Sequence, residues 1–318
     1  MASIGQKVDT AIQLLLQGKL VAIPTETVYG LAANALNEKA VLAIFETKQR
    51  PSFDPLIMHL SGIDAVEKYA NWNDARLKKL ATAFWPGPLT ILLPKKEIVP
   101  DIVCSGLTQV ALRVPNHPLT LQLLKALPFP LAAPSANPFG YISPTSAQHV
   151  NQQLGDKIPF ILDGGECGVG LESTIVGVEG DELVLYRLGG LTVETIEALV
   201  GKISLRLNQS SNPLAPGQLK SHYAPRKPLF MGSFKENVNN FLNKKMALIA
   251  FGKIEINNSH CSIYNLSEKA DLNEAALNLF KLLRLADESD ADVLLAEYLP
   301  KQGLGLAIND RLQRAAEK

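Results

Sequence analysis

The chain has 318 residues, 47% hydrophobic and 19% charged, and its 31 basic and 31 acidic side chains cancel to a formal net charge of zero. That composition is globular and excludes disordered, collagen-like and membrane-embedded classes; it also disfavours a large nucleic-acid footprint, which needs a cationic excess. The length favours two domains, and three scattered cysteines, Cys104, Cys167 and Cys261, without metal-like spacing imply reduced thiols and no structural zinc.

The first twenty residues read as the start of a helix, not a signal peptide, because the apolar segment is short and lacks a small-residue cleavage site. Val8, Ile12, Leu15 and Leu16 fall at helical spacing within residues 6–17, and Gly18 stops the pattern. A short strand at 20–23 ends at Pro24. A helix over 37–47, with Asn37 as its cap, precedes a strand at 56–60. Helices at 63–70 and 73–84 are followed by strands at 89–93 and 109–114 and a helix at 119–127, and after 131–133 the chain makes a loop. A helix at 145–154, strands at 160–162, 174–178 and 183–188, and a closing helix at 192–200 complete this half. Strands and helices that do not strictly alternate predict an α/β sheet with antiparallel members.

Residues 208–228 are rich in Asn, Ser, Pro and Gly without periodicity and read as a linker. Beyond it come a helix at 236–243, strands at 246–251 and 262–266, a helix at 272–287, a strand at 292–298 and a helix at 304–316. That regular pattern predicts a small parallel, nucleotide-binding-like α/β unit. The expected division is a catalytic domain at 1–201, a linker at 202–228 and a small Rossmann-like domain at 229–318. Apolar runs such as 89–93 and 246–251 are strand-sized, so no membrane span and a cytoplasmic location are expected.

The common phosphate cradles are absent: there is no G-x-x-x-x-G-K-[ST], and Gly303-Leu304-Gly305 lacks a third glycine. Neither G-x-S-x-G nor H-E-x-x-H occurs. Side-chain cations and loops must therefore hold any nucleotide. Several loops concentrate polar groups beside strand ends. Pro24-Thr25-Glu26-Thr27-Val28-Tyr29-Gly30 suits a strand-to-helix turn capped by threonines as well as a binding loop. Lys48 and Arg50 complement a helix C-terminus, but Pro51 and Pro55 fix the chain behind them, which also suits a polyphosphate. His59 alternates with apolar residues as a half-buried histidine would. Arg113 before Pro115 fits a carboxylate clamp or an ordinary ion pair. The stretches 134–138, 142–144 and 170–174, and Arg187 at a strand end, add hydroxyl, amide and cationic groups common in turns.

In order along the chain, residues 25–31, Lys48-Gln49-Arg50-Pro51, Ser135-Ala136-Asn137 and Ser173-Thr174 resemble the YrdC-domain threonylcarbamoyl-AMP synthases. The linker stretch Ala215-Pro216-Gly217-Gln218-Leu219-Lys220-Ser221-His222-Tyr223-Ala224-Pro225 and the terminal Gly303-Leu304-Gly305-Leu306-Ala307-Ile308-Asn309-Asp310-Arg311-Leu312 resemble the long, two-domain form. The resemblance implies a YrdC-like twisted mixed sheet with flanking helices, plus the smaller Rossmann-like domain. It also implies the reaction: threonine, bicarbonate or carbon dioxide, and ATP give threonylcarbamoyl-AMP and pyrophosphate, the first step of a tRNA modification.

By the same resemblance Lys48, Arg50, Ser135, Ser143, Arg187 and Tyr223 would lie on ATP or the adenylate, with Asn137 building that loop. Thr27, His59, Arg113, Ala133 and Ser173 would recognise threonine or its carbamate, and Lys48, Arg50 and Arg113 would carry the catalytic charge. Asp54 and Gln109 occupy nucleotide-side positions but depart from the family pattern. An acid stands at 54 where the family often has an amide or another polar residue, and Gln109 stands where a threonine is common. Magnesium is expected on the triphosphate, with phosphates and water as most of its ligands because no carboxylate cluster is set aside for it. The implied partners are ATP, L-threonine, bicarbonate and the downstream machinery that transfers the threonylcarbamoyl group to tRNA, with weak RNA binding in addition. The long polar linker reads as an active-site lid, and the second domain as a docking or regulatory unit. Two rivals are an RNA-binding or ribosome-maturation module without nucleotide chemistry, and a hydrogenase-maturation carbamoyl-transfer enzyme, which would want zinc-binding cysteines and extra domains.

Overall fold

A computed structural model describes residues 1–207, 215–218, 220–256 and 258–317. The expected linker at 202–228 thus falls partly outside the described residues, at 208–214 and 219. In chain order the structure begins with β1 (Ser3–Gly5), α1 (Val8–Leu16), β2 (Val21–Ile23), β3 (Gly30–Asn34), α2 (Glu38–Lys48) and β4 (Ile57–His59). Then follow α3 (Val66–Tyr69), α4 (Ala75–Phe84), β5 (Leu89–Pro94), α5 (Asp101–Cys104), β6 (Gln109–Arg113), α6 (Pro118–Ala126) and β7 (Leu131–Ala132). The first half closes with α7 (Ala147–Leu154), β8 (Phe160–Leu162), β9 (Thr174–Glu179), β10 (Glu182–Arg187), α8 (Val193–Val200) and β11 (Ser204–Leu205). The second contains β12 (Leu229–Met231), α9 (Phe234–Asn240), β13 (Met246–Ala250), β14 (Cys261–Asn265), α10 (Leu272–Glu288), β15 (Val293–Ala296) and α11 (Leu304–Ala316).

Local chemistry sets the helix starts. The Asn37 side chain accepts from the amides of Lys39 and Ala40, and Asp74, Ser146, Thr192 and Asp271 cap α4, α7, α8 and α10 in the same way. At the end of α2, Gln49 turns left-handed with φ 53°, which swings Arg50 out of the helix line.

Among the described residues the strands form two sheets. The larger is mixed, in the order β1-β8-β2-β3-β7-β4-β6-β5-β9-β10-β11, and the smaller is β12-β15-β13-β14, parallel throughout. The mixed sheet and the separate parallel sheet are those expected from the sequence. Six short elements were not: β1, β3, β7, β11, β12 and α5. The loop after β2 does not lead into a helix but returns as β3, antiparallel to β2, with Ile23 opposite Gly30. Gly-Leu-Ala-Ala-Asn carries no β-branched or aromatic residue, so only its burial between two strands makes it a strand.

Helices cover one face of the large sheet with the main core, and α1 and α6 cover the opposite face of β8, β2, β3 and β7 with a second cluster. On the opposite face of its middle strands, Ile57, Leu92, Ala111, Ile175, Val184 and Tyr186 form a separate apolar cluster, closed by Ala215 of the linker. Residues 215–218 of the linker, all buried, are thus a packed cover. Gln218, fully buried, donates to the carbonyls of Tyr186 and Arg206 and holds that cover on β10. The second domain docks directly on the first. Gly170 has φ 78°, and a Cβ there would lie 2.4 Å from the carbonyl oxygen of Ala276, so α10 packs against bare backbone. Among the described residues no helix is long and apolar enough to cross a membrane.

Candidate active site

Strands β4 and β6 run parallel with His59 opposite Arg113 and Ile57 opposite Ala111. Because side chains alternate along a strand, both pairs point to the face closed by the linker. Between that face and the surrounding loops lies a cavity, partly open to solvent. Its walls come from Thr25, Thr27, Arg50, the 55–57 segment, Ala133, Ser135, Glu172 and Arg187, and Pro216, Gly217, His222 and Tyr223 close it.

One end is built around Arg113, which is almost fully buried. Its Nη2 donates to Thr27 Oγ1 at 2.9 Å and lies 2.8 Å from the Glu26 carboxylate; Nε donates to the Gly87 carbonyl at 3.3 Å. Thr25 spends its hydroxyl on the turn, donating to the Val28 carbonyl at 2.6 Å, as the capping interpretation of this loop anticipated. Thr27 faces Arg113 instead. Burial, reinforced by Arg113, pushes the His59 imidazole down to about 3, so it is neutral at physiological pH.

The other end gathers cations. Arg50 donates to the carbonyls of Asp54 and Pro55 and pairs with the Asp54 carboxylate at 2.9 Å. Arg187 donates to the Ser173 carbonyl and hydroxyl and to the Pro216 carbonyl, and burial lowers its pKa to about 10. Lys48 is nearly fully buried, and its ammonium donates to the carbonyls of Ser135 and Asn137. Burial and the Arg50 charge hold its pKa well below the usual lysine value. The Asn137 amide in turn donates to the carbonyls of Pro138 and Tyr141. Gly217 adopts φ 77° where a Cβ would come 3.1 Å from Arg187 Nη1, so the linker backbone rests directly on that guanidinium. Beside it Tyr223 stacks on Phe280 of α10 at 5.6 Å, and burial pushes its phenol up to about 12.

Of the residues predicted from the sequence, Thr27, Arg50, His59, Arg113, Ala133, Ser135, Arg187 and Tyr223 meet at the cavity. Lys48, Asn137, Ser143 and Ser173 stand one layer behind, each bonded to a loop or side chain of the site. Two expected nucleotide-side positions fall elsewhere. Asp54 is fully buried behind Arg50, where that cation neutralises the acid. Gln109 starts β6, paired with Pro94, at the opposite end of the strand from Arg113; four residues of strand put it about 13 Å away. Glu26, Glu172 and Arg311 were missed as site residues. Glu172 was visible only as part of the loop at 170–174. Arg311 belongs to a helix nearly 140 residues further on, and no local pattern links the two. Among the described residues no group of three or more His, Cys, Asp or Glu gathers as a metal seat.

Residues 13–189 match the Sua5–YciO–YrdC family model, described as telomere recombination, and residues 191–317 match the model of the threonylcarbamoyl-AMP synthase C-terminal domain. The chain is 40% identical to the threonylcarbamoyl-AMP synthase of Pyrococcus abyssi, covering 98% of this chain and 94% of that one. It is 39% identical to the Bacillus subtilis protein of the same name, over 98% and 93% of the two chains. The crystal structure of P. abyssi Sua5 complexed with L-threonine superposes with a TM-score of 0.90 at 39% identity, over 99% of this chain and 97% of that one. Both halves of the chain are shared with these proteins, and their arrangement with the P. abyssi structure: the chain belongs to the Sua5–YciO–YrdC family, in the form that carries the threonylcarbamoyl-AMP synthase C-terminal domain.

Proposed function

We propose that the chain is an L-threonylcarbamoyladenylate synthase, a nucleotidyltransferase that converts L-threonine, bicarbonate or carbon dioxide, and MgATP into threonylcarbamoyl-AMP and pyrophosphate. The observation that carries this reading is the two-ended cavity. A buried arginine with a threonine hydroxyl sits at one end, two more buried arginines at the other, and a neutral histidine beside the first. The arginine end suits the carboxylate of an amino acid, which a planar guanidinium fork binds well. The Arg50 and Arg187 end suits phosphates.

The threonine amine adds to carbon dioxide with loss of a proton, or to bicarbonate with loss of water, to give a carbamate. A carbamate oxygen then bonds to the α-phosphorus as the bond from that phosphorus to the β-phosphate bridging oxygen breaks, and pyrophosphate leaves with the electron pair. The nucleophile is already an anion, so positioning and positive charge supply the catalysis and no strong general base is required. In this reading Arg113 and Thr27 hold threonine, and His59, uncharged, borders the carbamate. Arg50 and Arg187 face the phosphates, while Lys48 acts by holding the 135–137 loop. The carboxylates of Asp54 and Glu172 are tied to arginines. Magnesium is accordingly read as part of the nucleotide substrate, its ligands phosphate oxygens and water. The product, a mixed anhydride, would pass in the cytoplasm to the machinery that transfers the threonylcarbamoyl group to tRNA.

Pyrophosphate release from MgATP, measured with threonine, with serine and without an amino acid, in the presence and absence of bicarbonate, tests the reading. Release that requires both threonine and bicarbonate is expected. Folded protein without threonine-dependent release would overturn it.

A further inference from the structure

The second domain has no chemical motif of its own, yet its last helix reaches the cavity wall. Arg311 of α11 is 1% exposed. Its Nε donates to Glu172 at 2.9 Å, its Nη2 to the Leu188 carbonyl at 2.7 Å, and its guanidinium lies 5.0 Å from the centre of the Tyr223 ring. Glu172 lines the cavity, and its other oxygen accepts from the Ser143 hydroxyl at 2.6 Å. Helix α10 grips the same loop from another side. Arg284 donates to the Ile142 carbonyl at 3.0 Å, and the Tyr141 hydroxyl donates to Asp287 at 2.6 Å. Three successive residues of the first domain are held by the second.

We propose that the second domain sets the nucleotide side of the cavity, with Arg311 the positioning residue that fixes Ser143 through Glu172. The proposal rests on the preceding functional reading and on the family resemblance, which puts Ser143 on ATP or the adenylate. A carboxylate on the wall of a polyphosphate site repels the ligand unless a cation offsets it, and Arg311 is that cation. Its rigid fork also fixes which way the carboxylate faces, leaving one oxygen for Ser143. Arg187, whose charge also feels Glu172, is the group a released carboxylate would claim. Loss of Arg311 therefore removes two things from the nucleotide: the placement of Ser143 and part of the Arg187 charge. Among the described residues, Arg113, Thr27 and Glu26 of the threonine end share no hydrogen bond with Arg311, Glu172 or Ser143.

The test uses the full-length chain with Arg311→Met, Arg311→Lys, Glu172→Gln and the double variant Glu172→Gln/Arg311→Met. Calorimetry gives Kd for α,β-methylene-ATP and for threonine, and circular dichroism checks the fold. Arg311→Met is expected to weaken the nucleotide analogue about tenfold or more, leaving threonine within about twofold. Arg311→Lys moves in the same direction, because an ammonium cannot reproduce two directed bonds. In the Glu172→Gln background the loss of Arg311 should cost less than about threefold, since no freed carboxylate remains. That comparison holds even if Arg311→Met alone fails to fold. A double variant at least tenfold weaker than Glu172→Gln, or a single variant that loses threonine and nucleotide equally, would overturn the proposal. Wild-type pyrophosphate release is read separately: an intact cycle in analogue binding without threonine-dependent release would sink the assignment of the reaction and leave the relay standing.

Discussion

Replacing Arg113 with alanine isolates the threonine end of the cavity. The guanidinium is 4% exposed and engages Thr27 at 2.9 Å, Glu26 at 2.8 Å and the Gly87 carbonyl at 3.3 Å, so it is held where a carboxylate would meet it. A hydrogen bond to a charged group is worth about 1.5–3 kcal/mol, roughly 10- to 150-fold in affinity. A second penalty adds to this: without Arg113 the Glu26 carboxylate keeps the Asn116 amide but loses its cation, and its charge then opposes the incoming threonine carboxylate. At about 4 Å and an effective dielectric near 20 that repulsion reaches about 4 kcal/mol before water and salt reduce it. Threonine affinity in Arg113→Ala should therefore fall by at least about 100-fold, with nucleotide affinity changed less than about threefold. Glu26→Gln in the same background should recover part of the loss, and Arg113→Lys should fall between, since it keeps the charge but not the fork. Calorimetric titration with threonine and with α,β-methylene-ATP reads both ligands directly. Unchanged threonine binding alongside a tenfold loss of the nucleotide would refute the reasoning, because Arg113 would then serve phosphate.

Asp54→Asn leaves Arg50 buried without its counter-ion, so the ligand-free protein should lose about 1–3 kcal/mol of stability. The phosphates then meet an unshared charge, and the rise in melting temperature on adding ATP should exceed that of the wild type; an equal rise would count against a shared charge. Gly217→Ala forces a left-handed backbone on alanine at about 1–2 kcal/mol and crowds Arg187 and Tyr223, so nucleotide affinity should drop about tenfold, read by the same titration. His59 is held neutral when folded, down to about 3, whereas an unfolded histidine takes up its proton near 6.5. The unfolded state binds the extra proton between those values, so stability is fully present above about pH 6.5 and falls by up to about 1.4 kcal/mol per unit as the pH drops. Denaturant titrations from pH 7.5 to 4.5 should show that slope flattened in His59→Gln, and identical slopes would remove His59 as its source.

Most of the architecture could be read along the chain because the signals are local. Asn37 announces a helix through a cap that reaches only two or three residues ahead, and apolar runs such as Met246–Ala250 announce buried parallel strands. Strand β3, made of glycine, alanine, leucine and asparagine, carries no such local signal.

The sequence by itself determined most of the succession of elements, the two-part organisation and, through spaced motifs, the loops that bear Thr27, Arg50 and Ser135. Tertiary structure alone decided what those side chains do. Register placed His59 beside Arg113 and sent Gln109 to the far end of its strand. Burial turned Lys48 inward onto two carbonyls and set Asp54 behind Arg50. Docking of the second domain brought Arg311 to Glu172, a pair separated by 139 positions. Such contacts depend on where the chain folds back on itself, whereas propensity and periodicity report only on neighbours a few residues apart.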